Sequence, residues 1–384
     1  MSTSDTITKT PYHSWCTGSL PEGCARCVQG RKMVLFITGL CSQRCFYCPV
    51  SEHKFGHDVV YANEWKIKNP DDPVELFEEA RLTEATGAGI TGGDPLAKVD
   101  RCIDYIKQLK RRFGKNFHIH LYTPLKLVTE EKLQKLYAAG LDEIRFHPDL
   151  DDNALWPRLK LARKFGWNVG VEIPAIPGYE EKTKRLIDYI ADKVDFLNIN
   201  ELERSDTKTA HFKLDAMRFV QKDDISYGIR GSQEMALEML AYAKSKGLRM
   251  HFCTAKLKDA VQMTSRLQRR SKHIALPCDE HTDEGLLVRG CIYLERLSPG
   301  EGYREKLKAA DNDSVLKELR EAKQKIQALA KTDVFVDESK LRLLLPPKVV
   351  KKNALLFRKR LRLVPAIVEE YPTVDAFEVE IDFL

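Results

Sequence analysis

The chain has no apolar run near the ~18–20 residues needed to span a bilayer. Its first fifteen residues also lack the apolar core of a secretory signal. These absences give the expectation of a cytoplasmic protein with no membrane partner. Repeats at solenoid period and low-complexity segments are missing as well. So is the composition of a disordered chain: 43% of residues are hydrophobic and 31% charged, a balance that buries a core. Charge of one sign is not strongly favoured. The net charge of +6 leans toward anionic partners without identifying one.

Cysteine, in contrast, is plentiful. Ten cysteines in 384 residues do not make a disulfide scaffold, because that logic belongs to secreted domains of under about 100 residues. In a large cytosolic chain, clustered cysteines point to metal.

The length predicts a large α/β domain with one or two smaller pieces. Residues 33–40 (MVLFITGL) read as a buried parallel strand. Strands then follow at 88–91, 117–123, 142–147, 168–174, 194–200 and 248–253. Helices are predicted at 73–86, 98–113, 129–139, 154–165, 181–192 and 232–246, and 205–231 is irregular. Repeated strand-then-helix units imply a parallel sheet with helices outside it, and seven strands suit a barrel or partial barrel. The alternation stops near residue 274. Beyond it, 285–294 and 334–345 read as strands, 303–331 as one long charged helix, 348–360 as a helix and 375–383 as an alternating strand. The expected organisation is an N-terminal cysteine-containing arm (1–30), an α/β barrel domain (31–260) and a C-terminal basic α+β domain (274–384).

Directly after the first strand the sequence reads GLCSQRCFYCP, which places Cys41, Cys45 and Cys48 at C-x3-C-x2-C spacing. Three thiolates on one tight loop suit three irons of a [4Fe-4S] cube and leave the fourth iron open to a small molecule. Zinc would want a fourth ligand, for which only His53 or His57 is nearby. The loop also sits at the C-terminal end of a strand, the face where barrels place their chemistry.

This loop, with aromatic Tyr47 before the last cysteine, resembles that of the radical S-adenosylmethionine (SAM) superfamily. The resemblance covers roughly residues 30–255. More narrowly, the chain is similar to archaeal proteins described as related to pyruvate formate-lyase activating enzymes. It implies a partial (β/α) barrel and reductive cleavage of SAM at the cluster into methionine and a 5′-deoxyadenosyl radical. A ferredoxin or flavodoxin would supply the electron. ITGGDP at 90–95 resembles the family's GGE motif, with Asp94 for Glu, so Gly92, Gly93 and Asp94 are candidate SAM contacts. EIPAIPGYEE at 172–181 partly matches the adenine-packing stretch through Ile176, Gly178 and Glu181, with Pro174 where the family has its first glycine. Tyr47 would add backbone polar groups toward adenine. Arg145, His147, Glu172, Asn198 and Asn200 lie at predicted strand ends and are candidates for SAM or substrate contacts. His118 and His120 read equally well as pocket or core residues. No catalytic residue is singled out.

Cys24 and Cys27 form a C-x2-C pair, with Cys16 upstream and Cys253 at the end of the last barrel strand. Together they are candidates for a second iron–sulfur cluster or a zinc ion, provided the arm folds back. Cys278 and Cys291 are further candidates, and Cys102 reads as packing. From Lys340 to Arg362 there are nine Lys or Arg and no acid, a density that suits RNA phosphates, an acidic protein or a solvated surface. The resulting expectation is a radical SAM enzyme acting on RNA or protein. The alternatives are a glycyl-radical activating enzyme and a non-catalytic metal protein that binds nucleic acid.

Overall fold

The computed structural model describes residues 6–223 and 226–384. They form two compact units, one ending at Thr264 and the other running Ser265–Leu384.

The first unit is built on seven parallel strands: β3 (Lys32–Phe36), β6 (Gly87–Thr91), β7 (His118–Pro124), β8 (Glu143–His147), β9 (Asn168–Ala175), β10 (Phe196–Glu201) and β11 (Met250–Cys253). They are adjacent in that order, as a partial barrel requires. Two short strands, β4 (Tyr61–Ala62) and β5 (Trp65–Lys66), extend the sheet beyond β3. At the other edge β2 (Trp15–Thr17) pairs antiparallel with β11, and β1 (Ile7–Lys9) pairs with β2. Helices α2 (Val74–Leu82), α3 (Val99–Phe113), α4 (Glu130–Ala139), α5 (Glu180–Ile190) and α6 (Ser232–Ser245) follow successive strands.

Alternation along each strand separates two faces. Leu35, Ile90, Leu121, Phe146, Val171 and Ile199 are fully buried in one core with Leu76, Ile106, Leu136, Ile187 and Met239 from the helices. The opposite face is polar: Lys32, His118, His120, Glu143, Arg145, Glu172, Asn198 and His251. Helix boundaries follow local chemistry. Thr129 caps α4 by accepting the Lys132 N–H, and Gly140 ends the helix in the left-handed region at φ 103°. The predicted helix at 154–165 is instead a 3-10 stretch, Trp156–Lys164, with Pro157 at its start.

After β11 the chain passes through α7 (Ala255–Leu257) into α8 (Thr264–Ile274). In the second unit, β12 (Glu280–His281) pairs with β13 (Leu287–Leu294), and β14 (Phe335–Asp337), β15 (Arg342–Leu345), β13, β16 (Leu363–Glu370) and β17 (Glu378–Phe383) form an antiparallel sheet in that order. Three sequence expectations change here. Residues 303–331 are two helices, α9 (Tyr303–Ala309) and α10 (Asn312–Ala330), because the Asp311 side chain caps a fresh start by accepting the Ser314 N–H. Residues 334–345 are two strands, because Asp337 accepts from the Ser339 and Lys340 N–H groups and turns the chain. Strand β16 lies outside every predicted element; it contains Pro365, which cannot donate to a ladder. Helices α10 and α11 (Pro347–Leu361) pack Leu319, Ile326, Val350 and Phe357 onto one sheet face. The opposite face buries Arg342 against Glu370 at 2.7 and 3.0 Å, and Glu370 also accepts from Arg289 at 2.7 Å. Among the described residues no helix is long and apolar enough to cross a membrane.

Candidate active site

The C-terminal end of β3 runs straight into the three-cysteine loop, and several contacts fix its course. Thr38 Oγ1 donates to Asp58 Oδ1 at 2.9 Å and accepts the Leu40 N–H at 3.3 Å. Arg101 bonds Asp58 at 2.7 Å and the Ile37 carbonyl at 2.9 Å. A Cβ on Gly39 would fall 1.6 Å from the Lys54 carbonyl oxygen, so the 54–57 segment closes over a position only glycine can fill. A second cover comes from residues 205–219. Ser205 and Thr207 donate to the Pro49 and Val50 carbonyls, the Lys213 N–H bonds the Phe46 carbonyl at 2.8 Å, and Phe219 stacks on Phe46. Thr38, Gly39, Asp58, Arg101 and this cover escape the sequence reading. Their contacts join distant positions that share no periodicity or motif.

Cys41, Cys45 and Cys48 are half-buried on this loop. Burial pushes the Cys45 thiol up to about 12, and Cys48 and Cys41 add to the rise. Burial also raises Cys41 and Cys48. Three thiols starved of water and in one another's field need a positive charge to ionise. An iron cluster supplies that charge, so the donor set fits one. Among the described residues, no three His, Cys, Asp or Glu side chains already stand at ligation distance, here or elsewhere.

The Gly92–Asp94 loop packs directly against this segment. A Cβ on Gly93 would lie 2.6 Å from the Leu40 oxygen and 2.8 Å from Cys41 Cβ, and one on Gly92 would lie 2.4 Å from the Thr38 oxygen. The two glycines therefore let one loop approach the other. Asp94 is fully buried. Its Oδ1 accepts from Thr123 Oγ1 at 2.9 Å and the Leu96 N–H at 3.0 Å, while Oδ2 has no partner among the described residues. That unsatisfied acceptor suits an ammonium group such as the one SAM carries.

A cavity of about 290 Å³ opens beside the loop, lined by Cys45, Tyr47, His147, Asp149, Ile176 and Tyr179 among others. Tyr47 and His147 meet there at 2.8 Å, and His147 Nδ1 donates to the Glu172 carbonyl at 2.8 Å. Ile176 is fully buried in the barrel core while forming part of the cavity wall. Gly178 turns the chain with φ 88°. Arg145, Glu172, Asn198 and Asn200 are brought together and hydrogen-bond one another and their neighbours on the inward face. Arg145 holds Glu143 at 2.6 Å and Glu172 at 2.8 Å, and both asparagines donate to Glu172 at 2.8 Å. They form a rigid polar support on the inward face. His118 and His120 lie on the same face, kept neutral by burial; His118 is pushed down to about 2.

Of the other cysteines, Cys24, Cys27 and Cys253 share the inward side of the sheet, whereas the Cys16 thiol bonds the Gly18 carbonyl. Cys102 is buried and donates to the Pro95 carbonyl. Cys278 and Cys291 are buried in the second unit.

Residues 35–190 match the sequence profile of the Radical SAM superfamily. A Methanocaldococcus jannaschii protein provisionally named a glycyl-radical enzyme activating enzyme is 39% identical over 374 residues, 94% of this chain and 92% of the relative. Among solved structures, methylornithine synthase aligns over 62% of this chain and 79% of its own at 12% identity, with a TM-score of 0.38. Coproporphyrinogen III oxidase from Escherichia coli aligns over 89% and 94% at 11% identity, with a TM-score of 0.34.

Proposed function

The chain belongs to the radical SAM superfamily, and on that premise we propose that Cys41, Cys45 and Cys48 hold a [4Fe-4S] cluster beside a SAM site, for hydrogen abstraction from a macromolecular substrate. When bound, cluster and SAM supply reductive cleavage to methionine and a 5′-deoxyadenosyl radical, with the electron coming from a ferredoxin- or flavodoxin-type donor. The observation that carries this reading is the loop itself: three half-buried thiols at C-x3-C-x2-C spacing at the end of the first barrel strand. Around it, Asp94 Oδ2 offers a buried acceptor to the SAM ammonium. Tyr47, His147 and Ile176 wall the adjoining cavity, and residues 205–219 lie against the loop. An enzyme of this class leaves no place for the non-catalytic alternative.

The name of the Methanocaldococcus jannaschii relative favours a protein substrate, a glycyl-radical enzyme that this chain would activate. A second reading, RNA, rests on α11. Its outer face carries Lys348, Lys351, Lys352, Lys359 and Arg362, all exposed, and no acidic residue.

Anaerobic reconstitution should load the loop with about four irons. Dithionite should then give an EPR signal that SAM perturbs, and 5′-deoxyadenosine should be released. Replacing Cys41, Cys45 and Cys48 with Ala should remove both. A SAM-responsive signal surviving in that variant ends the reading.

A further inference from the structure

The N-terminal arm does not hang free of the barrel. Strand β2 pairs with β11, Cys16 opposite His251, which turns the arm back along the last barrel strand. The next helix, α1 (Glu22–Cys27), lies against the inward polar face. A Cβ on Gly23 would fall 2.6 Å from Arg145 Nη2, 2.7 Å from His120 Nδ1 and 2.8 Å from Glu143 Oε1. Gly23 thus lets α1 press onto side chains of β7 and β8, and its C-x2-C spacing turns both thiols to one side of the helix.

A third thiol comes from the last barrel strand. Cys24 Sγ lies 3.4 Å from Arg145 Nη2 and 3.9 Å from Asn198 Oδ1. Asn198 Oδ1 in turn lies 2.8 Å from His251 Nδ1. Cys253 is two residues beyond His251 on the same strand, so it faces the same side, level with Asn200. Cys24 and Cys253 are buried. Two cations face the group. Arg145 donates to Cys24, and Lys258, paired with Glu203, acts on both Cys27 and Cys253. Cys16 stands apart, with only burial acting on its thiol.

We propose that Cys24, Cys27 and Cys253 are the protein ligands of a second, thiophilic metal centre inside the barrel, an iron–sulfur cluster or a zinc ion. Soft donors on the inward side of the sheet, flanked by cations and backed by Val28 and Leu257, suit a thiolate-bound metal. Each thiol releases its proton to water on ligation, and the metal replaces the lost positive charge. The centre would tie the arm to the last barrel strand across more than half the chain, so its loss would loosen the fold as well as the site.

The inference is independent of SAM cleavage, and so is its test. The Cys41→Ser/Cys45→Ser/Cys48→Ser variant, reconstituted anaerobically with iron and sulfide or grown with zinc, is assayed for iron, sulfide and zinc. Retained metal is expected, as iron with sulfide for a cluster or about one zinc for a zinc site. Adding Cys24→Ser and Cys27→Ser, or Cys253→Ser, should strip it and lower the melting temperature, while Cys16→Ser should leave it in place. A triple variant that folds by circular dichroism yet carries no metal overturns the proposal, as does metal that persists without Cys24 and Cys27. Should the triple variant fail to fold, the parent protein decides. Metal beyond about four irons per chain, lost on replacing Cys24 and Cys27, supports the second centre; about four irons with no zinc overturns it.

Discussion

The Tyr47 hydroxyl and His147 Nε2 lie 2.8 Å apart, and this contact ties the cysteine loop to the end of β8. It is a direct side-chain bond between the loop and the barrel wall beneath the cavity. Tyr47→Phe removes it and keeps the ring. One buried hydrogen bond is worth about 0.5–1.5 kcal/mol net, so SAM affinity should fall by roughly 2- to 13-fold with the iron content unchanged. Equilibrium dialysis with labelled SAM reads this directly. Parent-like affinity would show that the bond does not shape the pocket.

Gly93→Val should damage the cluster before it damages SAM binding. The new side chain meets Leu40 and Cys41, which belong to the loop that presents the thiols. Iron per chain after reconstitution, measured without SAM, should drop well below the parent value. If iron is normal and only SAM affinity falls, the glycine serves the ligand and the packing account fails.

Lys32 gives the stability a pH dependence. Burial pushes it down to about 7, and its Nζ donates to the His118 carbonyl at 2.7 Å and lies 2.9 Å from His118 Nδ1. Between that value and the ordinary ~10.4, the unfolded chain holds one more proton than the native one. Stability should therefore rise with pH from about 7, by up to ~1.4 kcal/mol per unit. Lys32→Met should lack this component. Urea unfolding of the metal-free parent and variant from pH 7 to about 8.5 isolates it, because above that range the buried thiols, held up by burial, act in the opposite direction. Parallel curves for the two proteins would refute the assignment.

The basic face of α11 separates the two substrate readings. If it holds RNA, its cations meet phosphates, and binding weakens steeply with salt. Reversing Lys351, Lys352 and Lys359 to Glu should flatten the salt slope by roughly two to three units, at ~0.7–0.9 per contact. Filter binding of tRNA across a salt series measures it. Equal, weak retention by both proteins removes RNA and leaves a protein substrate.

The barrel was legible because its strands are short apolar or alternating runs, most of them followed by a helical pattern, as for α4 between Thr129 and Gly140. The grouping of Cys41, Cys45 and Cys48 was legible because three cysteines on one loop leave a spacing in the sequence. What stayed hidden depends on partners far along the chain. The packing of Gly93 against Cys41 has no local signature, and neither does Asp58, whose partners are Thr38 and Arg101. Arg145 and Glu172 were found as strand-end polars, but their pairing needed the register of β8 and β9. In the second unit, Asp311 was a helix cap inside a stretch that otherwise reads as one helix.

The pairing of β2 with β11 also sets a timetable. Thr17 and Met250 bond to one another from positions 233 apart, so the N-terminal strand waits for almost the whole barrel to be synthesised. At ~5–20 residues per second, that interval is roughly ten to fifty seconds. Throughout it, Cys16, Cys24 and Cys27 have left the ribosome while their final cover does not yet exist. Whatever reaches those thiols during this interval, whether metal, oxidant or chaperone, does so before the barrel closes over them.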